Sequence, residues 1–275
     1  MSERNIWDQE DAQELLVERN LETICSPLKS YLYAGVKVLD VGCGPGPVTM
    51  DVASEIHPGS VVGIDLEKTN IDQAKELAKT SQTDNAVFQV GDAYALEFAD
   101  GTFDLTYSLN LLVWLRDPVR TLQEQKRVTQ RGGWVIALLS DYANIISYPT
   151  CPAFDSFLAA LPELADPSDK EIFIDPHQGR RAVELFTQAG LKELKIEGWV
   201  TCSYPGSKDF DRVYSRWSTV LGEESPFEPY KQKLIDLGVI DKETFLDAQK
   251  ELEAWHAHPH AFHTSGQLVV AGRVP

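Results

Sequence analysis

Cysteine is scarce in this chain of 275 residues, and the four cysteines that occur form no Cys-x-x-Cys pair. Neither a metal site nor a disulfide framework is therefore predicted, and a reduced, cytoplasmic setting is expected. Long apolar runs are also missing, since none approaches the ~20 residues that span a bilayer. The first residues are charged and acidic, unlike a signal peptide. We therefore expect a cytoplasmic protein that is not inserted in a membrane.

Basic residues are few as well. The chain has 25 Lys and Arg against 42 Asp and Glu, which gives a net charge of −17, and no basic cluster is longer than Arg180-Arg181. Because nucleic acids and anionic membranes are bound by clustered cations, we expect neither as a partner. We interpret the acidity chiefly as a contribution to solubility.

Short apolar runs alternate with amphipathic stretches between residues 36 and 140. This alternation predicts an α/β fold with a doubly wound parallel sheet. Within it, Asp117 and Pro118 form an N-cap followed by the residue best suited to the first helical position. The strand candidates are 36–41, 60–65, 86–90, 103–108, 134–140, 194–201 and 267–274. The helix candidates are 8–33 with a break at Pro27, 47–56, 69–80, 118–129 and 178–189.

After residue 140 the chain no longer alternates short apolar runs with amphipathic stretches. Two long excursions follow, at 142–176 and 203–262, and they are rich in aromatic residues. Long excursions on a compact domain usually cover a site. We therefore predict an N-terminal helical lid segment at 1–35 and one domain at 36–275, with substrate-cap insertions at about 142–176 and 203–262.

The stretch VLDVGCGPG at 38–46 places Gly42, Gly44 and Gly46 on alternate positions directly after a predicted strand. Glycine there lets a ligand approach the backbone closely. The dinucleotide fingerprint would need its third glycine at position 47, which is Pro47, and the Gly-Lys-Ser/Thr of a phosphate-binding loop is absent. Asp40 would also repel a pyrophosphate, whereas it can receive an ammonium group. A nicotinamide-dependent oxidoreductase is therefore disfavoured.

Two further carboxylates follow predicted strands. Asp65 ends the second strand, where a carboxylate can accept hydrogen bonds from both ribose hydroxyls. Gly91, Asp92 and Ala93 follow the third strand, and a side-chain acceptor there suits an exocyclic amine such as that of adenine. The ligand so described has an amine, a ribose and a base but no phosphate, which fits S-adenosylmethionine.

The stretches VLDVGCGPG, GIDLE, GDAYALEFADGTFDLTYS and RVTQRGGWVIAL resemble, in order and spacing, the class I S-adenosylmethionine-dependent methyltransferases. The nearest resemblance is to the small-molecule group of quinone-biosynthesis type, over roughly 36–140. It implies a Rossmann-like sheet of seven strands in the order 3-2-1-4-5-7-6, with helical lid insertions. The stretch 267–274 would be the antiparallel seventh strand.

The resemblance also implies the cofactor site, with S-adenosylmethionine as donor and S-adenosylhomocysteine as product. The glycine turn would pass under the methionine part, with Asp40 near its amine, and Asp65 would hold the ribose. The residues implied in cofactor binding are Asp40, Gly42, Cys43, Gly44, Gly46, Asp65, Leu66, Gly91, Asp92, Ala93, Ser108, Leu109 and Asn110.

The acceptor side is less determined. The stretch WHAHPHAFH supplies a general base or only a surface or packing role, and its alternate spacing across Pro259 does not favour a metal site. The aromatic residues of the excursions fit an apolar pocket or the core of a small helical subdomain equally well. The substrate-binding candidates are Trp7, Asn110, Trp114 and Tyr142, and the catalytic candidates are His258, His263 and Tyr142.

The resemblance predicts a methyltransferase that acts on a small organic molecule at oxygen, nitrogen, sulfur or carbon, as a monomer or homodimer. One alternative is a protein of the same fold that binds the cofactor without transferring its methyl group. Another is a metalloid methyltransferase of the arsenite type, for which Cys151 and Cys202 would have to converge.

Overall fold

A computed structural model describes Leu16, residues 19–223 and residues 225–275, which form two compact units. The first part of the predicted lid segment 1–35, including Trp7, lies outside the described residues. The predicted boundary at residue 35 stays a prediction.

We name the two units by their main content. The sheet unit contains the described residues of Gln13–Leu139 together with Gln178–Trp199 and Leu268–Pro275. The helical unit contains the described residues of Ser140–His177 and Val200–Gln267. Each is described separately below.

Strands and helices alternate along the chain as the apolar pattern predicts. The strands are β1 Lys37–Val41, β2 Ser60–Asp65, β3 Ala86–Val90, β4 Phe103–Leu109, β5 Thr129–Ser140, β6 Ile146–Tyr148, β7 Lys192–Ser203 and β8 Phe262–Arg273. The helices are α1 Leu21–Cys25, α2 Pro47–Ile56, α3 Lys68–Thr80, α4 Pro118–Val128, α5 Pro152–Ala160, α6 Ala182–Gln188, α7 Phe210–Leu221, α8 Glu228–Asp236 and α9 Lys242–Ala257. Among the described residues, no helix combines the length and the hydropathy of a bilayer-spanning segment.

The central sheet is mostly parallel. β1 pairs in parallel with β2 and β4, β2 pairs with β3, and β4 pairs with β5. In the sheet unit the strands lie in the order β3-β2-β1-β4-β5-β8, with β7 also paired to β8, and the last strand is antiparallel. The structure thus confirms the predicted Rossmann-like doubly wound sheet, and the predicted order holds once the short strand β6 is set aside.

The strand β6 is an eighth strand, where the sequence predicted seven. It pairs antiparallel with the start of β8 in the helical unit, where Ser147 lies opposite His263. β8 accordingly begins at Phe262 instead of at Gln267. Three residues are too few to show the period of two that marks a strand in a sequence, so the pattern did not predict β6.

Both faces of the sheet are buried in the sheet unit. Ile136 of β5 belongs to one apolar cluster with Val52 of α2. Its neighbour Ala137 belongs to another cluster with Leu122 of α4 and Phe186 of α6. Because neighbouring strand residues point to opposite faces, helices cover the sheet on both sides. Each large apolar side chain buried in this way stabilises the fold by about 1.5–3 kcal/mol.

The predicted helix signals are present. The Asp117 carboxylate accepts the N–H of Arg120 at 3.1 Å and caps α4, with Pro118 at the first helical position. Gly190 follows α6 with φ of +76° and ends that helix, next to the predicted end at residue 189. Local chemistry therefore determines where these two elements begin or end.

Aromatic side chains form the core of the helical unit. The rings of Phe154 in α5 and Trp217 in α7 have centroids 5.0 Å apart, and those of Phe157 in α5 and Phe245 in α9 are 5.7 Å apart. All four side chains are buried. These aromatic residues of the excursions therefore pack a core of their own.

A carboxylate also joins two helices of this unit. Glu251 of α9 accepts the N–H groups of Ala153 and Phe154 at 2.8 and 3.2 Å, which caps the first turn of α5. Glu251→Ala should lower the free energy of unfolding by about 1–2 kcal/mol, because two N–H groups of a helix end lose their acceptor. Guanidinium unfolding followed by tryptophan fluorescence measures this change.

The matched control is Glu253→Ala, which removes an exposed carboxylate from the same helix. It should change the unfolding free energy by less than about 0.5 kcal/mol. Equal effects of the two variants would contradict the capping role of Glu251.

Candidate functional site

The glycine-rich turn lies between the end of β1 and the start of α2. The N–H groups of Gly42 and Cys43 donate to the carbonyl oxygen of Ile64 at 2.8 and 2.9 Å, which ties the turn to β2. Gly42, Gly44 and Gly46 have φ values of +80°, +56° and +90°. Residues with a Cβ rarely adopt this region, so the turn requires glycine at all three positions.

The surroundings of the three glycines differ. A Cβ on Gly42 would lie 3.0 Å from the side chain of Leu111, and a Cβ on Gly46 would lie 2.9 Å from the nearest atom of α3. On Gly44, the nearest described atom would be a Leu16 methyl group at 3.6 Å. Gly42 and Gly46 therefore permit close packing, whereas a Cβ on Gly44 would make only an ordinary contact with Leu16.

Asp40 is buried beside this turn, with 3% of its surface exposed. Its Oδ2 accepts the hydroxyl groups of Thr49 in α2 at 2.6 Å and of Tyr107 in β4 at 2.7 Å. Burial raises the pKa of Asp40 to about 7, the two hydroxyl donors oppose this rise, and the charge of Asp65 adds to it. The carboxyl group therefore joins two strands and a helix and titrates near neutral pH.

Asp65, the last residue of β2, holds the turn from the other side. Its Oδ2 accepts the N–H of Gly44 at 2.9 Å. Its Oδ1 accepts the N–H of Glu67 at 2.9 Å and the side-chain amide of Asn70 at 3.2 Å. Because a carboxylate offers about four acceptor positions, these three donors leave Oδ2 able to accept one more hydrogen bond.

Two further candidates follow the ends of β2 and β3. Leu66 comes directly after Asp65 and is 64% exposed, so it presents an apolar surface to solvent. Asp92 is exposed and accepts the N–H of Tyr94 at 2.8 Å. The N–H of Gly91, which precedes Asp92, donates to the carbonyl oxygen of Asp65 at 3.0 Å. Hydrogen bonds therefore connect the ends of these two strands.

A row of charged side chains on α4, which the sequence analysis did not identify, holds the segment 94–98 that follows Asp92. Arg127 donates to two backbone carbonyls of this segment at 2.7 and 2.8 Å, and Arg120 donates to a third at 3.1 Å. Glu124 accepts a backbone N–H of the segment at 2.9 Å, and the Arg127 guanidinium lowers the pKa of Glu124. Their spacing of four and three residues, which places all three on one helix face, was the available signal.

The end of β4 carries the next candidates. Ser108 is buried, and its hydroxyl has no hydrogen-bond partner among the described residues. Leu109 is half-buried, and Asn110 has a φ of +54°. Asparagine tolerates this region better than most residues, and such positions concentrate at functional sites. Trp114 lies half-buried in the short 3-10 turn that follows.

Two histidine candidates lie in the helical unit. His263 is buried, and its Nδ1 lies 3.2 Å from the hydroxyl of Ser147. Burial, with a smaller effect from the charge of Arg216, lowers the pKa of His263 to about 4, which keeps its imidazole neutral at pH 7 and makes it a weak base. His258 follows α9 half-buried, and its Nδ1 accepts the N–H of His260 at 3.2 Å.

Tyr142 also belongs to the helical unit. Its ring meets that of Trp217 edge-on with centroids 6.2 Å apart. The structure thus groups the cofactor candidates in the sheet unit and places Tyr142, His258 and His263 in the helical unit. The catalytic roles of these three residues stay predictions.

The thiols give no support to the arsenite-type alternative. All four cysteines are free, Cys151 is buried and Cys202 is exposed. Burial raises the pKa of Cys151 to about 11, which keeps this thiol protonated. Within the described residues, no three His, Cys, Asp or Glu side chains come close enough to share a metal ion.

Residues 39–137 match a family model described as a methyltransferase domain. An uncharacterized methyltransferase of Schizosaccharomyces pombe is 35% identical over 137 residues, which cover 48% of this chain and 49% of the relative. A demethylmenaquinone methyltransferase of Staphylococcus aureus is 29% identical over 181 residues, which cover 66% of each chain. The matched part thus spans only half of the yeast relative.

Solved structures share the fold over more of the chain. The YcgJ protein of Bacillus subtilis superposes with a TM-score of 0.60 at 18% identity, over 92% of this chain and 99% of that chain. Phosphoethanolamine N-methyltransferase 2 of Haemonchus contortus, solved with phosphomonomethylethanolamine and S-adenosylhomocysteine, has a TM-score of 0.59 at 17% identity. That match covers 100% of this chain and 61% of the other.

The raised pKa of Asp40 makes the stability of the protein depend on pH. Between about pH 4 and pH 7 the folded state keeps a proton that the unfolded chain releases, so this stabilisation is complete below about pH 4 and is lost as the pH rises to about 7. Asp40→Asn keeps an oxygen acceptor for the two hydroxyl groups but does not titrate. Thermal unfolding between pH 4.5 and 8 should therefore show a smaller loss of stability with rising pH in the variant.

Asp84→Asn is the control, because it neutralises an exposed aspartate of the same unit. It should keep the wild-type pH dependence. If the stability of Asp40→Asn depends on pH as strongly as that of the wild type, Asp40 does not titrate in this range.

Proposed function

We propose that this chain, which belongs to the class I S-adenosylmethionine-dependent methyltransferase superfamily, transfers a methyl group from S-adenosylmethionine to a small organic molecule. The observation that carries the proposal is the glycine turn itself, whose Gly44 N–H is held by the Asp65 carboxylate where β1 and β2 end. Doubly wound sheets bind their ligands at this carboxyl edge. When bound, S-adenosylmethionine supplies a methyl group activated by its sulfonium charge.

The charge of the candidate residues supports this donor. They include the carboxylates Asp65 and Asp92 and the buried Asp40, whose raised pKa leaves it partly protonated near neutral pH, and no basic side chain. Negative charge at close range attracts a ligand with ammonium and sulfonium groups and repels a polyphosphate. The site is therefore better suited to S-adenosylmethionine than to a dinucleotide.

We assign the remaining donor contacts from the geometry of the strand ends. The free acceptor position on Asp65 Oδ2 would take a ribose hydroxyl, which a charged acceptor binds more strongly than a neutral one does. The exposed side chain of Leu66 would cover one face of the adenine. The carboxylate of Asp92 would accept the exocyclic amine.

Acceptor recognition is assigned to side chains of the helical unit. The relatives support a small organic acceptor, since one is named for demethylmenaquinone and another is solved with phosphomonomethylethanolamine. Transfer from a sulfonium depends mainly on in-line positioning and the exclusion of water. Where the acceptor must lose a proton, Tyr142 and His258 are the candidates, because the lowered pKa of His263 makes it a weaker base.

A direct test is calorimetric titration of the protein with S-adenosylhomocysteine and, separately, with NAD. We expect binding of the first and none of the second. Mass spectrometry of an acceptor panel incubated with donor that carries a deuterated methyl group then shows the transfer. Binding of NAD without S-adenosylhomocysteine would refute the proposal, and cofactor binding without any transferred label would favour the non-transferring alternative.

Gly44→Val should abolish binding of S-adenosylhomocysteine, because a β-branched residue resists the φ of +56° and its side chain would lie where we place the ligand. The control is Gly35→Val, since Gly35 has φ of +90° and no atom of the described residues lies within 4 Å of its Cβ position. In that variant a valine is also forced to a positive φ, but it lies outside the glycine turn. Retained binding in Gly44→Val, measured by calorimetry, would show that the ligand does not approach Gly44.

Asp65→Ala should weaken binding of S-adenosylhomocysteine by about 1.5–3 kcal/mol, the contribution of hydrogen bonds to a charged group. Asp72→Ala is the control, because it removes an exposed carboxylate of α3 that pairs with Lys68. Calorimetry should find the control at wild-type affinity. If the wild type, Asp65→Ala and Asp72→Ala bind S-adenosylhomocysteine with equal affinity, Asp65 does not contact the ligand.

A further inference from the structure

Arg216, on α7 of the helical unit, is half-buried and has no carboxylate partner among the described residues. Arg212, one helical turn earlier, pairs with Asp209 at 2.8 Å. Because a guanidinium carries five N–H donors, Arg216 keeps donors that no described residue uses and that can bind an anion.

The guanidinium lies at the edge of an aromatic cluster. Its Nη2 is 3.5 Å from the Tyr142 hydroxyl, and its central carbon is 5.5 Å from the centroid of the Trp217 ring. Trp217 is 5% exposed and packs on Phe154. Low polarity on this side strengthens the attraction between the cation and an anionic ligand.

The other titratable group near Arg216 does not neutralise it. His263 carries no negative charge, and its Nδ1 already contacts Ser147. Of the five N–H groups of Arg216, only one reaches an acceptor among the described residues, and it does so at the limit of hydrogen bonding. The hydroxyl of Tyr142 can rotate to donate to a ligand beside the guanidinium.

We infer that the helical unit binds an oxyanion, a carboxylate or a phosphate, through the Arg216 guanidinium with the Tyr142 hydroxyl as a second donor. The inference rests on the proposed function in one respect, since it makes this oxyanion part of the methyl acceptor. The aromatic rings beside the guanidinium add a preference for an acceptor with a flat apolar part. The planar fork of arginine matches an oxyanion in two places, which a lysine does not.

The experiment uses three aromatic probes of similar size: benzoate, phenyl phosphate and the neutral benzamide. Each is titrated into the full chain, with and without saturating S-adenosylhomocysteine, and Kd is measured by calorimetry or ligand-observed NMR. We expect at least one of the two anions to bind at least about tenfold more tightly than benzamide. The anion with the lower Kd identifies a carboxylate or a phosphate as the group recognised.

Arg216→Gln should raise the Kd of that anion at least about tenfold, to the level of benzamide. Arg216→Lys should recover only part of the affinity for the anion. Tyr142→Phe should raise the Kd of the anion and leave the Kd of benzamide unchanged. The matched control is Arg212→Gln, which removes a guanidinium already paired with Asp209 and should bind the anion as wild type does.

Several outcomes would overturn the inference. The inference is wrong if the wild-type protein binds neither anion more tightly than benzamide. It is also wrong if Arg216→Gln leaves the Kd of the anion unchanged. If Arg216→Gln fails to fold, unchanged anion affinity in both Arg216→Lys and Tyr142→Phe would have the same consequence. Failure of the wild type to bind S-adenosylhomocysteine would instead contradict the proposed function, while the anion titrations still decide the role of Arg216.

Discussion

The Asp65 carboxylate is the group on which the candidate site depends. It accepts the N–H of Gly44 in the glycine turn, the N–H of Glu67 and the side-chain amide of Asn70, so one side chain joins β2, the turn and the first part of α3. Hydrogen bonds to an ionised acceptor are roughly twice as strong as those between neutral groups. Because both oxygens are engaged, the carboxylate has one orientation, and the acceptor position left on Oδ2 is ready for a ligand before it arrives.

Two other polar groups stabilise the same edge of the sheet. The buried Asp40 joins β1, α2 and β4 through two hydroxyl groups, and the charged row on α4 holds the backbone of residues 94–98. The contacts of α4 use side chains to order backbone that belongs to no helix or strand. A site ordered in advance loses less conformational entropy on binding, which leaves more of the interaction energy for affinity.

The helical unit offers side chains, and not a backbone turn, for ligand recognition. Its aromatic side chains pack a core from helices α5, α7 and α9, and Arg216 lies at the edge of that core without a carboxylate partner among the described residues. A glycine turn recognises a ligand through backbone groups that any sequence with the same turn would share. Recognition through a guanidinium and a tyrosine hydroxyl depends on side chains, so a shared fold implies no shared acceptor.

Most of the sheet unit could be predicted from the sequence by itself, because its signals are local: apolar runs of strand length, the Asp117 and Pro118 helix start, and glycines that require a positive φ. The candidate donor site could be proposed from the sequence for the same reason, since its residues directly follow strand ends. Only the tertiary structure decided which glycines are closely packed, that burial raises the pKa of Asp40, and that Arg120, Glu124 and Arg127 hold the segment 94–98. It also brought Arg216 to Tyr142, 74 positions away along the chain. Burial and charge at a given residue depend on neighbours that are distant in sequence, and no local pattern encodes them.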